Sequence, residues 1–286
     1  MSAPRDVTVV IVVWDDYCEY LPEAVASALG QAGPPDVLVV DNASVRPLPV
    51  LPSHVDVVRS GVRLTVGAAR NLALSSVRTP YVLFLDADDV LLPDAVRFLR
   101  ARLERRPRVV SCVGRYVSWN PVTGERVTLR RSPKPIVFPV SRLRRLFALV
   151  NLRYNTFPVV GCLHRTAAVR DAGGFGDGDV GEDWILGTLL CFRGRIEFHE
   201  RPTFLRRVHR GSLWYRPHTR EELLERCRLL RERAGRDLAV PRWAKTLLPL
   251  LALVHERDVG GAARRGTLQA EHPLLSGEAG SGGAGV

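Results

Sequence analysis

Lysine is nearly absent from this chain: Lys134 and Lys245 are the only two, so the net charge of +11 is carried almost entirely by arginine. The arginines concentrate from Arg97 to Arg108 and again from Arg126 to Arg153. Such an excess suits an anionic substrate, an anionic membrane surface or nucleic acid; it equally suits a solvated helix face in an arginine-biased composition. Nucleic acid is disfavoured, because there is no helix-turn-helix, zinc or RRM signature and few aromatics interleave with the arginines. Cysteine is also sparse. Cys18, Cys112, Cys162, Cys191 and Cys227 are odd in number and lack any Cys-x-x-Cys spacing. That argues against a disulfide framework and a zinc site, and for a reducing cytoplasm. No apolar run approaches bilayer length, and Leu247 to Val254 is interrupted by Pro249. The apolar N-terminal run leads into charged residues without a small-residue cleavage site, so it reads as a first strand rather than a signal peptide.

What is present is an alternation of strand and helix. A chain of 286 residues with 46% hydrophobic content can bury one large α/β core. Val7 to Trp14 reads as a strand, Glu19 to Leu29 as a helix with Pro22 in its first turn, and Asp36 to Val40 as a buried strand. Val55 to Val58, a helix over Val66 to Ser76, a strand from Tyr81 and a helix over Pro93 to Arg106 follow. This order predicts a largely parallel sheet with right-handed crossovers and helices on both faces. Further on, strands are expected at Val109 to Trp119, Val127 to Leu129, Val159 to Leu163, Arg195 to His199 and Thr203 to His209. A basic amphipathic helix is expected over Ser141 to Val150, and another helix from Gly181-Glu182-Asp183 to Phe192. Helices at Arg220 to Arg233 and Trp243 to Glu256 precede a Gly/Ala-rich tail, read as disordered after Val259.

The run Tyr81 to Asp89 carries the most chemistry. Five apolar residues in a row read as a strand covered on both faces, and it ends in Asp86-Ala87-Asp88-Asp89. Unpaired carboxylates are not buried without cost, so the strand must end where they meet water, a cation or a polar ligand. Alternation along a strand aims Asp86 and Asp88 the same way. The carboxyl ends of parallel strands are where α/β proteins bind ligands. Next to phosphate, carboxylates suit Mg²⁺ or Mn²⁺. A second reading keeps Asp88 or Asp89 as the cap of the helix near Pro93. The first two strands bring Asp15, Asp16 and Asp41 to the same edge.

These elements, in order, resemble the family 2 glycosyltransferases of the GT-A fold. The resemblance rests on a helix of the type Tyr20 to Leu29, the stretch Val39 to Ser44 (VVDNAS), Gly67 to Asn71 (GAARN) and Phe84 to Asp89 (FLDADD). It extends through Gly173-Gly174-Phe175, the Glu182-Asp183 pair, and Arg207, His209 and Ser212, spanning roughly residues 7 to 213. The chain departs at Val12-Val13-Trp14-Asp15, where the family often has Pro-x-Tyr-Asn, and residues 115 to 160 match no pattern. The resemblance implies a GT-A domain over 1–215, with a nucleotide-sugar half (1–110) and an acceptor half (111–215). A helical extension (216–258) and the tail (259–286) would complete the chain.

The resemblance also implies roles. Asp41 would accept a hydrogen bond from a pyrimidine base, favouring a uridine or thymidine diphosphate sugar, with Asp15 near the nucleotide. Asp86 would lie near the ribose and diphosphate, and Asp88 would hold the divalent metal, with His209 completing the site. Arg70 could assist the departing diphosphate, and Asn71 would tie its helix to a neighbouring loop. Asp183, with Glu182 behind it, is the candidate base that takes the acceptor proton in a one-step, inverting displacement. Trp184 and Trp214 would stack on a sugar or lie in the core. Each acid also has a plainer reading: an Asx turn for Asp41, and first-turn dipole partners for Glu182 and Asp183. His209 could simply be a surface residue. The arginine-rich segments and helix 141–150 suit a lipid-linked acceptor or peripheral attachment at the cytoplasmic membrane face. Two other classes compete. Asp86-Ala87-Asp88-Asp89-Val90 fits an aspartate-nucleophile loop of a haloacid-dehalogenase-like phosphatase, but two β-α units precede it and no lysine lies between Lys134 and Asp183. A non-catalytic basic binding module on the same scaffold would not need acids at every strand and helix end.

Overall fold

The computed structural model describes residues 5–127, 141–156, 158–179, 181–209, 211–212 and 218–264. The parallel part of its sheet is built around β1 (Val7–Val13), seven buried residues, all of them β-branched. Parallel neighbours β2 (Asp36–Asp41) and β4 (Tyr81–Asp86) flank it, and β3 (Asp56–Arg59) lies outside β2. The register sets Val13 beside Asp41 and Val12 beside Asp86, so both acids reach one edge of the sheet. Helices α1 (Leu21–Leu29) and α2 (Val66–Ser76) make the crossovers. Strand alternation divides the core between the two faces. Val10, Val12, Val40 and Phe84 pack on one side with α2; Ile11, Val13, Val39 and Leu85 pack on the other with α1.

Beyond β4 the sheet becomes mixed. After the short β5 (Val90–Leu91) and α3 (Ala95–Glu104) come β6 (Val109–Trp119), β7 (Arg126–Val127), α4 (Arg144–Arg153), β8 (Leu163–Arg165), α5 (Thr166–Asp171), α6 (Glu182–Arg193) and β9 (Arg195–Arg207). The nine strands run in the order β3-β2-β1-β4-β8-β6-β9-β5, with β7 on β6. β8 is antiparallel to both neighbours, and β5 is antiparallel to β9.

Several expectations shift. The two strands expected at 195–199 and 203–209 are one strand, β9, because its pairing with β6 absorbs Pro202 through register shifts around Arg115. The strand expected at Val159 to Leu163 begins only at Leu163: Gly161 turns with φ 74°, and its missing Cβ leaves room for the Phe204 ring. The expected 127–129 strand overlaps β7 at Val127 alone, and its remainder lies outside the described residues. Helix α3 starts behind Asp94, which sits at φ 62° and makes no side-chain cap, so neither Asp88 nor Asp89 caps it.

The C-terminal helices are α7 (Arg220–Arg236), α8 (Arg242–Lys245) and α9 (Leu248–Arg264). A capping box between Thr219 and Glu222 starts α7. Pro249 stands in the first turn of α9, where its missing N–H costs nothing, and the single helix expected over 243–256 is broken ahead of it. Helix α9 runs past Val259 to Arg264; the rest of the expected tail, 265–286, lies outside the described residues. Cys227, Leu230, Ala234, Val240 and Ala244 join the main core cluster.

Candidate functional site

Strand β4 ends at Asp86, and the chain turns back through a hydrogen bond from Asp89 N to Asp86 O (3.0 Å) into β5. The turn gathers carboxylate oxygens of Asp86, Asp88 and Asp89 within 4.8 Å of one another. Asp88 and Asp89 are buried, while the Asp86 side chain keeps 43% exposure. Asp89 accepts the backbone N–H of Arg207 (3.0 Å), and Arg207 Nε donates to the Asp88 carbonyl (2.8 Å). The far end of Arg207 pairs with Glu23 on α1. Burial pushes the Asp89 carboxyl well above the ordinary range, and the charges of Asp88 and Asp86 push it further. Asp89 is therefore a member of the acidic cluster rather than a helix cap. Three crowded hard oxygen donors, two of them buried, fit a divalent cation such as Mg²⁺ or Mn²⁺. His209 Nε2 lies 2.9 Å from Asp88 Oδ2, with its ring against Tyr17 and Tyr20.

Arg70 is buried, not solvated. Helix α2 begins at Thr65, whose side chain accepts from Ala68 N (3.2 Å), and Gly67 brings it against the loop after α5. A Cβ on Gly67 would stand 1.8 Å from the Gly176 carbonyl oxygen. This placement lets Arg70 donate at 2.6 Å to both Asp86 Oδ1 and Glu182 Oε1. Burial works against the Arg70 charge, but Asp86 and Glu182 outweigh it and hold the cation. The next residue, Asn71, accepts from Phe175 N (2.9 Å) and donates to Phe175 O (3.2 Å), tying α2 to the Gly173-Gly174-Phe175 turn as expected. Arg233 of α7 clamps the same turn through the carbonyls of Ala172 and Gly173.

The two acids at the start of α6 diverge. Glu182 turns inward to Arg70; burial raises its carboxyl to about 7, Asp183 adds to the rise and Arg70 offsets part of it. Asp183 is half-buried, accepts the N–H of Trp184 (2.7 Å) and meets Asn155 Nδ2 at 3.4 Å from both oxygens. Trp184 corrects the expectation of sugar stacking: it is 2% exposed, donates to the Asn151 carbonyl and packs on His255. Every position of α6 from Trp184 to Cys191 is buried, so no face of that stretch is left for a ligand. Trp214 lies outside the described residues.

Asp41 and Asp15 hold one loop between them. Buried Asp41 accepts Ser44 N (2.9 Å) and Arg59 (2.6 Å), an Asx turn with an ion pair added. Asp15 accepts the N–H groups of Val45 (2.7 Å) and Arg46 (2.9 Å), and the latter bond chiefly lowers its pKa. Beside them an open depression of about 450 Å³ is lined by Asp15, Asp16, Tyr17, Arg46 and His209. Trp14 carries the Arg63 guanidinium 4.1 Å from its ring centre. The structure thus brings Asp86, Asp88, Asp89, His209, Arg70 and Glu182 into one contiguous network. Sequence reasoning had not seen Asn155, in the region without a pattern, nor the pinning role of Arg207. The Arg207-x-His209 spacing on a strand was the one signal that pointed at the latter.

A family model described as "Glycosyl transferase family 2" matches residues 8–168. No curated protein matches the chain in sequence. Among solved structures, S. aureus TarS 1–349 in complex with UDP-GlcNAc aligns at TM-score 0.62 and 14% identity, covering 91% of this chain and 92% of that one. The mannosyltransferase PcManGT from Pyrobaculum calidifontis, in complex with GDP-Man and Mn²⁺, aligns at TM-score 0.57 and 18% identity, covering 96% and 78%. At those identities the likeness carries the fold.

Proposed function

The chain belongs to glycosyl transferase family 2 and has the GT-A fold; from that premise we propose that it is an inverting, metal-dependent transferase. It moves a sugar from a nucleotide-diphosphate donor, of the uridine or thymidine type, to a hydroxyl of a saccharide or lipid-linked acceptor. The observation that carries this reading is the crowded carboxylate cluster, joined through Arg70 to the helix that presents Asp183. Asp88 with His209, Asp86 and Asp89 would hold Mg²⁺ or Mn²⁺, which supplies Lewis-acid neutralisation of the charge on the departing diphosphate. The Mn²⁺ in the mannosyltransferase complex supports that cofactor class.

Asp183 takes the acceptor hydroxyl proton as the oxygen attacks the anomeric carbon; Asn155 orients its carboxylate. Glu182, turned to Arg70, is a positioning residue. Asp41 receives the pyrimidine through an acceptor position left beside its bonds to Ser44 and Arg59, since each carboxylate oxygen has two lone pairs. Asp15 shapes the adjoining loop. The test is nucleotide release from a panel of UDP-, dTDP- and GDP-sugars with Mg²⁺ or Mn²⁺, alongside Asp88→Asn. Turnover of one donor that needs metal and Asp88 supports the reading. Absence of turnover across the panel, or indifference to Asp88→Asn, sinks it and leaves a basic binding module.

A further inference from the structure

Among the described residues, every exposed leucine and the one exposed tryptophan fall in two stretches, 143–146 and 238–253. The second is the larger. Leu238, Trp243, Leu247, Leu250 and Leu253 are exposed at 97%, 40%, 37%, 59% and 64%. Leu250 and Leu253, three residues apart, share one outward face of α9, and exposed Trp243 on α8 and Leu247 in the turn between the two helices stand just ahead of them. The opposite side of α9 is already used: Leu248 and Leu251 pack on the core, while His255 is buried beneath Arg231 and Trp184. Helix α9 is therefore apolar on both sides, and one side is open. Single exposed leucines need no explanation, but a contiguous apolar face does.

Its surroundings choose the occupant. Arg242 and Lys245 on α8 and Arg257 on α9 stand on the same helices as this face and make no ion pair among the described residues. Of the nearby acids, Asp237 and Asp258 are neutralised by Arg193 and Arg153, and exposed Glu256 on α9 offsets only one of the cations. An apolar strip edged by unpaired cations complements an anionic bilayer surface, whose headgroups meet the cations while leucine and tryptophan enter the acyl boundary. No helix of the described residues is long and apolar enough to cross a membrane, so the mode is lying on it. A second copy of the chain would bring the same cations against one another.

We propose that the α8–α9 face, through Trp243, Leu247, Leu250 and Leu253 with Arg242, Lys245 and Arg257, seats the protein on an anionic membrane surface. This stands apart from the transferase reading, since none of these residues belongs to the acidic site.

The full chain is sedimented with vesicles of phosphatidylcholine mixed with the anionic lipid phosphatidylglycerol, and with vesicles of pure phosphatidylcholine. Binding to the anionic vesicles is expected, weakened at least ~10-fold by Leu250→Glu/Leu253→Glu and by Arg242→Gln/Lys245→Gln/Arg257→Gln. Circular dichroism and donor binding of both variants should match wild type. Equal binding of wild type and variants, or no binding to anionic vesicles, overturns the proposal. So does a wild-type dimer in light scattering that Leu250→Glu/Leu253→Glu converts to monomer, because the face would then be a protein interface.

Discussion

Replacing Arg70 with methionine removes the cation that two carboxylates share. Asp86 keeps 43% exposure and can turn to water, but Glu182 keeps only 10% and cannot. In the wild type, burial has already raised the Glu182 carboxyl from 4.5 to about 7. Below pH 7 it is largely protonated with or without Arg70, so the variant loses mainly packing and hydrogen bonds there, about 1–2 kcal/mol. Above pH 7 the wild type ionises against Arg70, whereas the variant must either bury a lone charge or keep the proton. Keeping a proton that the unfolded chain has released costs about 1.4 kcal/mol per pH unit. A carboxyl whose folded pKa is raised contributes its stability at low pH and loses it as pH rises through that pKa. The gap between wild type and Arg70→Met therefore widens from pH 7 towards pH 9 by about 2–3 kcal/mol. Urea unfolding followed by tryptophan fluorescence at pH 6, 7.5 and 9 reads the gap directly. The double variant Arg70→Met/Glu182→Gln should flatten the pH dependence. A gap that stays constant from pH 6 to 9, or one that the second substitution leaves unchanged, would refute the reasoning.

Three other outcomes follow from the same geometry. His209→Ala should keep the fold but raise the metal concentration for half-maximal turnover by roughly 10–100-fold; an unchanged metal titration would remove His209 from the site. Asp183→Asn should lower kcat for transfer by about 10²–10⁴-fold while the donor Kd holds; loss of donor binding instead would move Asp183 out of the base role. Gly67→Ala would set a methyl 1.8 Å from the Gly176 carbonyl, and should cost about 2–3 kcal/mol in thermal unfolding. A near-neutral Gly67→Ala would mean that the 173–178 loop is free to retreat from α2.

The parallel half of the fold was legible because its signals are local. The β-branched run of β1, the buried run of β4 and the turn chemistry after each can be read within a dozen residues. Strand β6 was equally readable as one long alternating segment. Strand β5 was not, since two residues become a strand only through pairing with Leu205 and Phe204 more than a hundred positions away. The same distance hid the Arg70–Glu182 pair, which joins α2 to α6 across 112 residues. Asp89 looked like a cap because Asp before Pro93 has that local chemistry, but Arg207, arriving from β9, claims it instead. Trp184 was ambiguous for the opposite reason. A helix buried on every side carries no periodicity to say which face meets a ligand. Asn155 could not have been found from sequence, since only the folded chain brings it to Asp183.

The central claim is that the acidic cluster binds a nucleotide-sugar diphosphate together with a divalent cation through Asp88. Isothermal titration of UDP- and dTDP-sugars into the full chain, with Mn²⁺ or EDTA, tests it most directly. The account predicts saturable binding of one donor in Mn²⁺, weakened at least ~100-fold by EDTA or by Asp88→Asn in a variant that still unfolds cooperatively. Binding that is equally tight in EDTA and in Asp88→Asn would contradict it.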